Sequence, residues 1–333
     1  MGIFNFFRNI KNRIVSGRRS MLFFVRLVNM PVIGNIYDFF YLRMIRNKIN
    51  KSDVMVTIEP NNICNLRCIM CPYKRMKRKK ETMAMPLFKK IVDEAKELGC
   101  KEIHLTQYNE PFTDLDIFSR INYIRKSGMK SSFYSNATLL NKKIISQILE
   151  SPPDLIRFSV DGAKKETFES IRVGANFERV VENIKKLYSE RNKKGQRLPV
   201  IEVYFTAFNK NRKEIGDFLR MWKGNCDFTS IYPVDSRESG QFVGFNYRRL
   251  KPYPCFNPKK VLVLSSGKVD MCCVDINGIA TLGDLKKQTL KEVLDSEKYK
   301  SVYSAQMSRN FDLPMCRNCS KFYIDSAFIW WVY

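Results

Sequence analysis

The sequence predicts an α/β fold on a parallel sheet, with a basic helical segment before it and a smaller metal-centred domain after it. Two patterns carry that expectation. From residue 53 to residue 240, strand-like apolar runs alternate with amphipathic helical stretches, roughly one pair every 25–45 residues, the rhythm of consecutive βα units. The 10 cysteines gather in groups: Cys64 with Cys68 and Cys71, Cys272 with Cys273, and Cys316 with Cys319. Grouped thiols are a ligand pattern, and with His104 the single histidine, a mixed Cys/His zinc site is poorly supplied.

The segment 1–52 sets Phe4, Phe6, Phe7, Ile10, Ile14 and Val15 among Arg8, Lys11, Arg13, Arg18 and Arg19, with Asp38 its only acid. No apolar run reaches the roughly 18–20 residues that span a bilayer. Helices lying in a membrane interface, which make a peripheral contact, and helices packed on the main domain both fit this mixture. No secretory signal peptide is evident, so the expected location is the reducing cytoplasm, where thiols stay reduced or bind metal. A net charge of +25 draws acidic partners: an anionic membrane, a phosphorylated substrate, an acidic protein or nucleic acid. A lysine-rich solvated surface gives the same sum. The basic residues are spread along the chain without a recognised nucleic-acid module, so no nucleic-acid partner is expected.

Six strands are expected at Val54–Ile58, Ile103–Thr106, Ser131–Ser135, Ile156–Val160, Val200–Thr206 and Phe228–Tyr232. Pro86 and Leu87 open a helix that ends near Gly99. Asn176 caps another, in which Phe177, Val180, Val181, Ile184 and Leu187 share one face. After Tyr247, Pro252, Pro254 and Pro258 mark a loop. A hairpin follows, Val261–Leu264 and Lys268–Met271 around Ser265-Ser266-Gly267, then a helix over Leu290–Lys300 and a cysteine-bearing tail. The expected division is 1–52, 53–240 and 241–333.

Chemistry concentrates in Cys64-Asn65-Leu66-Arg67-Cys68-Ile69-Met70-Cys71-Pro72, directly after the first strand. Three thiolates this close can hold three irons of one cubane and leave the fourth open to a ligand. A zinc site would need a fourth ligand from elsewhere. The segment resembles the CxxxCxxC loop of the radical S-adenosylmethionine (SAM) superfamily, whose fold is a partial (β/α)6, TIM-like barrel. Gln107-Tyr108-Asn109-Glu110-Pro111 is similar to the family's Gly-Gly-Glu-Pro segment with both glycines replaced, which implies that Glu110 meets the SAM amino group. Ser135-Asn136-Ala137-Thr138-Leu139-Leu140 resembles Thr-Asn-Gly-x-x-Leu and places Asn136 in the cofactor site. Ser159-Val160-Asp161-Gly162 resembles Ser-x-Asp-Gly, with Ser159 on the SAM ribose, and Ile171-Arg172-Val173-Gly174 a further segment whose Arg172 faces the SAM carboxylate. Met70 stands where the family often has an aromatic residue near adenine.

Cys255, Cys272, Cys316 and Cys319 are similar to the ligands of the SPASM/Twitch extension, together with Leu282-Gly283-Asp284-Leu285 and Leu290-Lys291-Glu292-Val293. Lys321–Tyr333 contains no cysteine, so the resemblance implies one auxiliary [4Fe–4S] cluster rather than two. Cys273 is the alternative to Cys272, and a four-cysteine zinc site the alternative to iron–sulfur. Cys100 and Cys226 read as packing residues, and His104 as a packing or supporting histidine rather than a catalytic one. Asp270 and Asp275 read either as exposed turn acids or as proton acceptors beside the second cluster.

The resemblance implies an oxidoreductase. An acidic donor such as flavodoxin or ferredoxin supplies one electron, SAM is cleaved to methionine and a 5′-deoxyadenosyl radical, and that radical takes hydrogen from an unactivated C–H bond. The family's Twitch-bearing aminocyclitol dehydrogenases show a similar layout, so a sugar, aminocyclitol or lipid-linked substrate is expected. A peptide-modifying maturase is the alternative within the family, and a basic nucleic-acid-binding protein with all-cysteine zinc sites the alternative outside it. Lys74-Arg75-Met76-Lys77-Arg78-Lys79-Lys80 follows the cysteine loop, either as a grip for an anionic substrate or acidic donor, or as a solvated loop.

Overall fold

The computed structural model describes residues 54–207, 209–233, 260–308 and 331–332. The segment 1–52, Cys255, Cys316 and Cys319 lie outside the described residues. All six expected strands form, each within two residues of its expected ends: β1 Met55–Ile58, β2 Glu102–His104, β3 Lys130–Ser135, β4 Leu155–Ser159, β5 Val200–Ala207 and β6 Phe228–Pro233. They lie side by side in chain order, every neighbouring pair parallel. Between them run α1 Met85–Glu97, α2 Ile117–Lys126, α3 Lys142–Glu150, α4 Lys165–Ile171, α5 Phe177–Lys193 and α6 Ile215–Trp222.

Strand periodicity divides the sheet into two unlike faces. Along β5, Ile201, Val203, Phe205 and Ala207 are buried beneath helices, and Phe205 meets Phe218 of α6 with ring centroids 4.8 Å apart. Glu202, Tyr204 and Thr206 point the other way, onto the face turned from the helices. Helix α5 buries Val180, Ile184 and Leu187 as its 3.6-residue period requires, and Asn176 Oδ1 caps it by accepting the Arg179 N–H at 2.9 Å.

The hairpin joins this same sheet. Strand β7 Lys260–Val263 pairs parallel with β1, and β8 Lys268–Asp270 and β9 Thr281–Asp284 extend that edge antiparallel. Gly267 turns β7 into β8 with φ +88°, a left-handed conformation that disfavours a side chain. At the opposite edge β10 Trp331–Val332 pairs antiparallel with β6. The helix expected over Leu290–Lys300 is two: α7 Leu290–Asp295 and α8 Glu297–Met307. Ser296 breaks it with extended backbone (ψ 147°), its Oγ donating to Val293 O and accepting from Tyr299 N–H, so one hydroxyl ends α7 and begins α8. Among the described residues no helix is long and apolar enough to cross a membrane.

Candidate functional site

The cysteine loop leaves β1 and runs beside the chain that leaves α4. Arg67 N–H donates to Val173 O and Ile69 N–H to Ile171 O, both at 3.0 Å, a short ladder between residues more than a hundred positions apart. Gly174 permits the approach: it has φ +98°, and a Cβ there would stand 3.3 Å from Leu66 Cδ2. Cys71 N–H closes a turn onto Cys68 O, and Cys64 N–H donates to the Tyr73 hydroxyl at 2.9 Å. Tyr73 in turn donates to Asn62 O, and Arg67 covers its ring while bonding Cys64 O and Leu66 O. Met70 and Ile69 pack on buried Ile171.

This ladder carries Arg172 to the loop. Its Nε meets Asp161 Oδ2 at 2.6 Å, and one terminal nitrogen lies 3.7 Å from Cys68 Sγ. Burial works against the Arg172 charge, but Asp161 and the Cys68 sulfur more than offset it and hold the guanidinium protonated. Asp161 is fully buried and also accepts the Thr206 N–H of β5. Burial pushes the Cys64 thiol up to about 11; the Leu66 amide opposes this, and Glu110 and Cys68 add to it.

Glu110 lies within the same neighbourhood, 1% exposed. Its N–H donates to Ile63 O, and its carboxylate accepts from Ser135 Oγ at 2.8 Å, Asn136 N–H at 2.7 Å and Phe112 N–H at 3.3 Å. Burial raises this carboxyl to about 7 against the three hydrogen bonds and Arg172, which pull it down. Asn136 bonds Asn65 of the cysteine loop through its Nδ2 and accepts from Thr138. Ala137 sits at φ +59°, a left-handed backbone, where the similar family segment has glycine. Ser159 ends β4 beside Tyr204 of β5. The loops after β1 to β4 thus bring the Cys64–Cys71 loop, Glu110, Asn136 and Arg172 together, while Met70 packs on Ile171.

Sequence reasoning missed the polar face of the sheet. Tyr134, Tyr204 and Tyr232 run across β3, β5 and β6: Tyr134 meets Tyr204 edge-on at 5.5 Å, and Tyr204 stacks on Tyr232 at 4.8 Å. Arg157 lies over Tyr134 and pairs with Glu202 at 2.9 Å, and Ser230 donates to Glu202. Burial, then the neighbouring tyrosines, raises the Tyr204 hydroxyl well above its ordinary value and Tyr232 to about 12. His104 belongs to this face, with Nδ1 2.7 Å from Ser132 Oγ and its other ring nitrogen 3.7 Å from Glu102; burial lowers its pKa against the pull of Glu102. The period-2 placement of these groups was the available signal, but the strand runs were read for their apolar members.

The Cys272–Cys273 turn, between β8 and β9, folds back onto the loops after β1 and β2. Asp270 and Asp275 are buried, at 1% and 3% exposure, which corrects their reading as exposed turn acids. They build the turn: Asp270 Oδ1 accepts the Cys272 N–H, and the Asp275 carboxylate accepts the N–H groups of Asn277 and Ala280. Burial and Asp275 raise the Asp270 carboxyl to about 7 against the Cys272 amide. Within the basic run, Arg78 is committed to Glu59, whose two oxygens it grips at 2.7 and 2.8 Å, while Lys74, Arg75, Lys77, Lys79 and Lys80 are exposed. Cys100 is buried; Cys226 is half-buried against the core, and burial pushes its thiol up to about 12.

The thiols of Cys64, Cys68 and Cys71, on one loop after β1, are a donor set that fits a cubane. Among the described residues no three Cys, His, Asp or Glu side chains converge as one metal ion requires. In a cubane each thiolate takes its own iron, so sulfurs spread along one loop serve, and the guanidinium beside Cys68 offsets thiolate charge. A model of the radical SAM superfamily matches residues 58–220, and a model of the SPASM iron–sulfur cluster-binding domain matches residues 255–320. A tungsten-containing aldehyde ferredoxin oxidoreductase cofactor-modifying protein of Pyrococcus furiosus is 23% identical over 314 residues, covering 79% of this chain and 86% of that one. Streptococcus suis SuiB bound to its precursor peptide SuiA superposes with TM-score 0.63 at 15% identity, over 85% of this chain and 74% of that one. BtrN in complex with AdoMet and 2-DOIA superposes with TM-score 0.54 at 16% identity, over 81% and 93%. These likenesses show the fold, a partial barrel of βα units with a cluster-binding extension.

Proposed function

The chain belongs to the radical SAM superfamily and carries a SPASM-type iron–sulfur domain, so its cofactors are a SAM-binding [4Fe–4S] cluster, auxiliary iron–sulfur and SAM; from this we propose that it is an oxidoreductase acting on a small polar ring, a sugar or aminocyclitol, free or lipid-linked. The observation that carries the substrate class is the polar face of the sheet. Three tyrosine rings flanked by Arg157, Glu202 and Ser230 suit a compact ring, with aromatic faces for its C–H surface and hydrogen-bonding groups for hydroxyls or an amine.

Cys64, Cys68 and Cys71 hold the first cluster in this reading, and Cys272 or Cys273 joins Cys255, Cys316 and Cys319 at the auxiliary one. Glu110 would accept the SAM ammonium, Arg172 its carboxylate and Ser159 its ribose, with Met70 toward the adenine, while Asn136 keeps the Glu110 and cysteine loops together. The chemistry supplied there, when cluster and SAM are bound, is reductive cleavage of SAM to methionine and a 5′-deoxyadenosyl radical. Ile171 and Tyr73 are buried beside the cysteine loop and Ile69 packs on Ile171, an apolar wall that would shield the reacting centre from water. The exposed Lys74, Arg75, Lys77, Lys79 and Lys80 suit an acidic electron donor such as flavodoxin or ferredoxin. SuiB, which binds its precursor peptide, keeps a peptide as the competing substrate.

The test is anaerobic reconstitution with iron, sulfide, dithionite and SAM, then incubation with a C-deuterated aminocyclitol or a deuterated peptide. The expected protein holds about eight irons, two cubanes' worth, and forms 5′-deoxyadenosine that Cys64→Ala abolishes, with deuterium arriving from the ring compound. Deuterium from the peptide alone would overturn the substrate class, and a colourless protein carrying only zinc would overturn the enzyme.

A further inference from the structure

Tyr108 stands where the similar family segment has its first glycine, which offers no side chain, and Gln107 directly precedes it. Here both side chains converge on one atom. Gln107 Nε2 donates to the Cys273 carbonyl at 2.7 Å, and the Tyr108 hydroxyl donates to the same oxygen at 3.2 Å. A carbonyl has two lone pairs, so the two donors saturate it. The Gln107 N–H is bonded to Asn109 Oδ1 at 2.9 Å, which fixes the loop from which the arm extends.

The rest of the turn is tied by other means. Asp270 accepts the Cys272 N–H, and Asp275 N–H donates to Cys272 O at 3.1 Å, so these contacts shape the turn from within. Farther along, Arg78 Nε donates to Ile276 O at 2.7 Å and Lys77 N–H to Asn277 Oδ1 at 2.8 Å, which anchors its far end to the segment after the cysteine loop. Of these ties, the Gln107 and Tyr108 contacts join the cysteine pair itself to the loop that carries Glu110.

We propose that Gln107 and Tyr108 are positioning residues that lock the Cys272–Cys273 turn to the Glu110 loop and so hold the two iron–sulfur sites at a set separation. The proposal rests on the reading that this turn supplies a ligand to the auxiliary cluster. A substrate held between two metal sites needs both walls fixed, because a displacement of about 1 Å at a reacting centre can cost a hundredfold in rate.

The test uses the full-length reconstituted protein and the variants Gln107→Ala, Tyr108→Phe and the pair. Amide hydrogen exchange over residues 271–277 is read beside the EPR spectrum and midpoint potential of each cluster. The expected result for the double variant is exchange roughly tenfold faster in that turn, the loss of two hydrogen bonds, with a shifted auxiliary signal. Exchange over residues 66–71 and the first cluster's signal stay as in the parent. Unchanged exchange and an unchanged auxiliary signal in the double variant overturn the proposal. Should the double variant lose its fold, seen as faster exchange along α5 as well, Tyr108→Phe decides on the same criteria, since it removes one hydroxyl and keeps the ring. A parent protein holding only about four irons, one cubane's worth, would sink the auxiliary-cluster reading, and the exchange result would still decide the tie.

Discussion

The Cys64–Cys71 loop and the Cys272–Cys273 turn are held by different kinds of bond. A backbone ladder ties the first to a distant segment: the Arg67 and Ile69 N–H groups pair with Val173 and Ile171, which any residue but proline could offer. The Tyr73, Asn136 and Arg172 side chains add to it. Side chains hold the second: Asp270, Asp275, Gln107 and Tyr108 each supply a contact that one substitution removes. Behind each stands a buried ion pair, Asp161 with Arg172 for the loop and Glu59 with Arg78 for the turn. The lesson is that the loop adds a ladder made by close approach of two backbones to its side-chain ties, whereas the turn's ties to Lys77, Arg78, Gln107 and Tyr108 all run through particular side-chain atoms.

The ion pairs give the largest expected effects. Asp161→Ala and Glu59→Ala each leave a guanidinium unpaired in a buried setting, which costs about 3–5 kcal/mol. Thermal unfolding should show both losses. Proteolysis or exchange should place the local damage at residues 171–173 in the first variant and at 276–277 in the second. Damage spread equally over both regions would break the distinction between them.

Gly174→Ala is the next test, aimed at the backbone approach. The substitution forces a side chain onto φ +98° and against Leu66, and should cost about 1–3 kcal/mol in denaturant unfolding. A variant as stable as its parent would show that the ladder does not need the close approach.

The smallest effect is the pH dependence carried by Glu110. Its carboxyl is raised from 4.5 to about 7, so the fold favours the protonated form. That contribution is fully present below the ordinary value and is lost as pH rises through about 7. The thermal midpoint of the protein before reconstitution should therefore fall between about pH 4.5 and pH 7 and level off above, and Glu110→Gln should flatten the fall. Bound SAM should reverse the trend, because an ammonium beside the carboxyl favours its charged form. A midpoint equally pH-dependent in Glu110→Gln would assign the titration elsewhere.

Much of the fold was legible because its signals are local. Strand ends follow from runs such as Val200–Ala207, and the α5 start from Asn176 four residues before Val180. The Ser296 break was also local, a serine able to cap, yet the apolar spacing across Leu290–Lys300 hid it. The long-range parts were not legible. Arg78 gave no sign that its partner is Glu59 and its third contact Ile276, because a charge run reads the same whether solvated or buried. Tyr134, Tyr204 and Tyr232 lie on three strands and become one surface only through parallel register.

By itself, the sequence determined the order of the βα units, the cysteine groups and the motif residues after each strand, since these depend on periodicity and spacing within a few turns of chain. Tertiary structure alone decided that Arg172 lies beside Cys68, that one face of the sheet is polar and aromatic, and that Gln107 and Tyr108 reach Cys273. Those are contacts between residues from 70 to 166 positions apart, or across neighbouring strands. No local propensity encodes them; they exist because burial of the apolar face brings the strands into register and leaves the loops to meet.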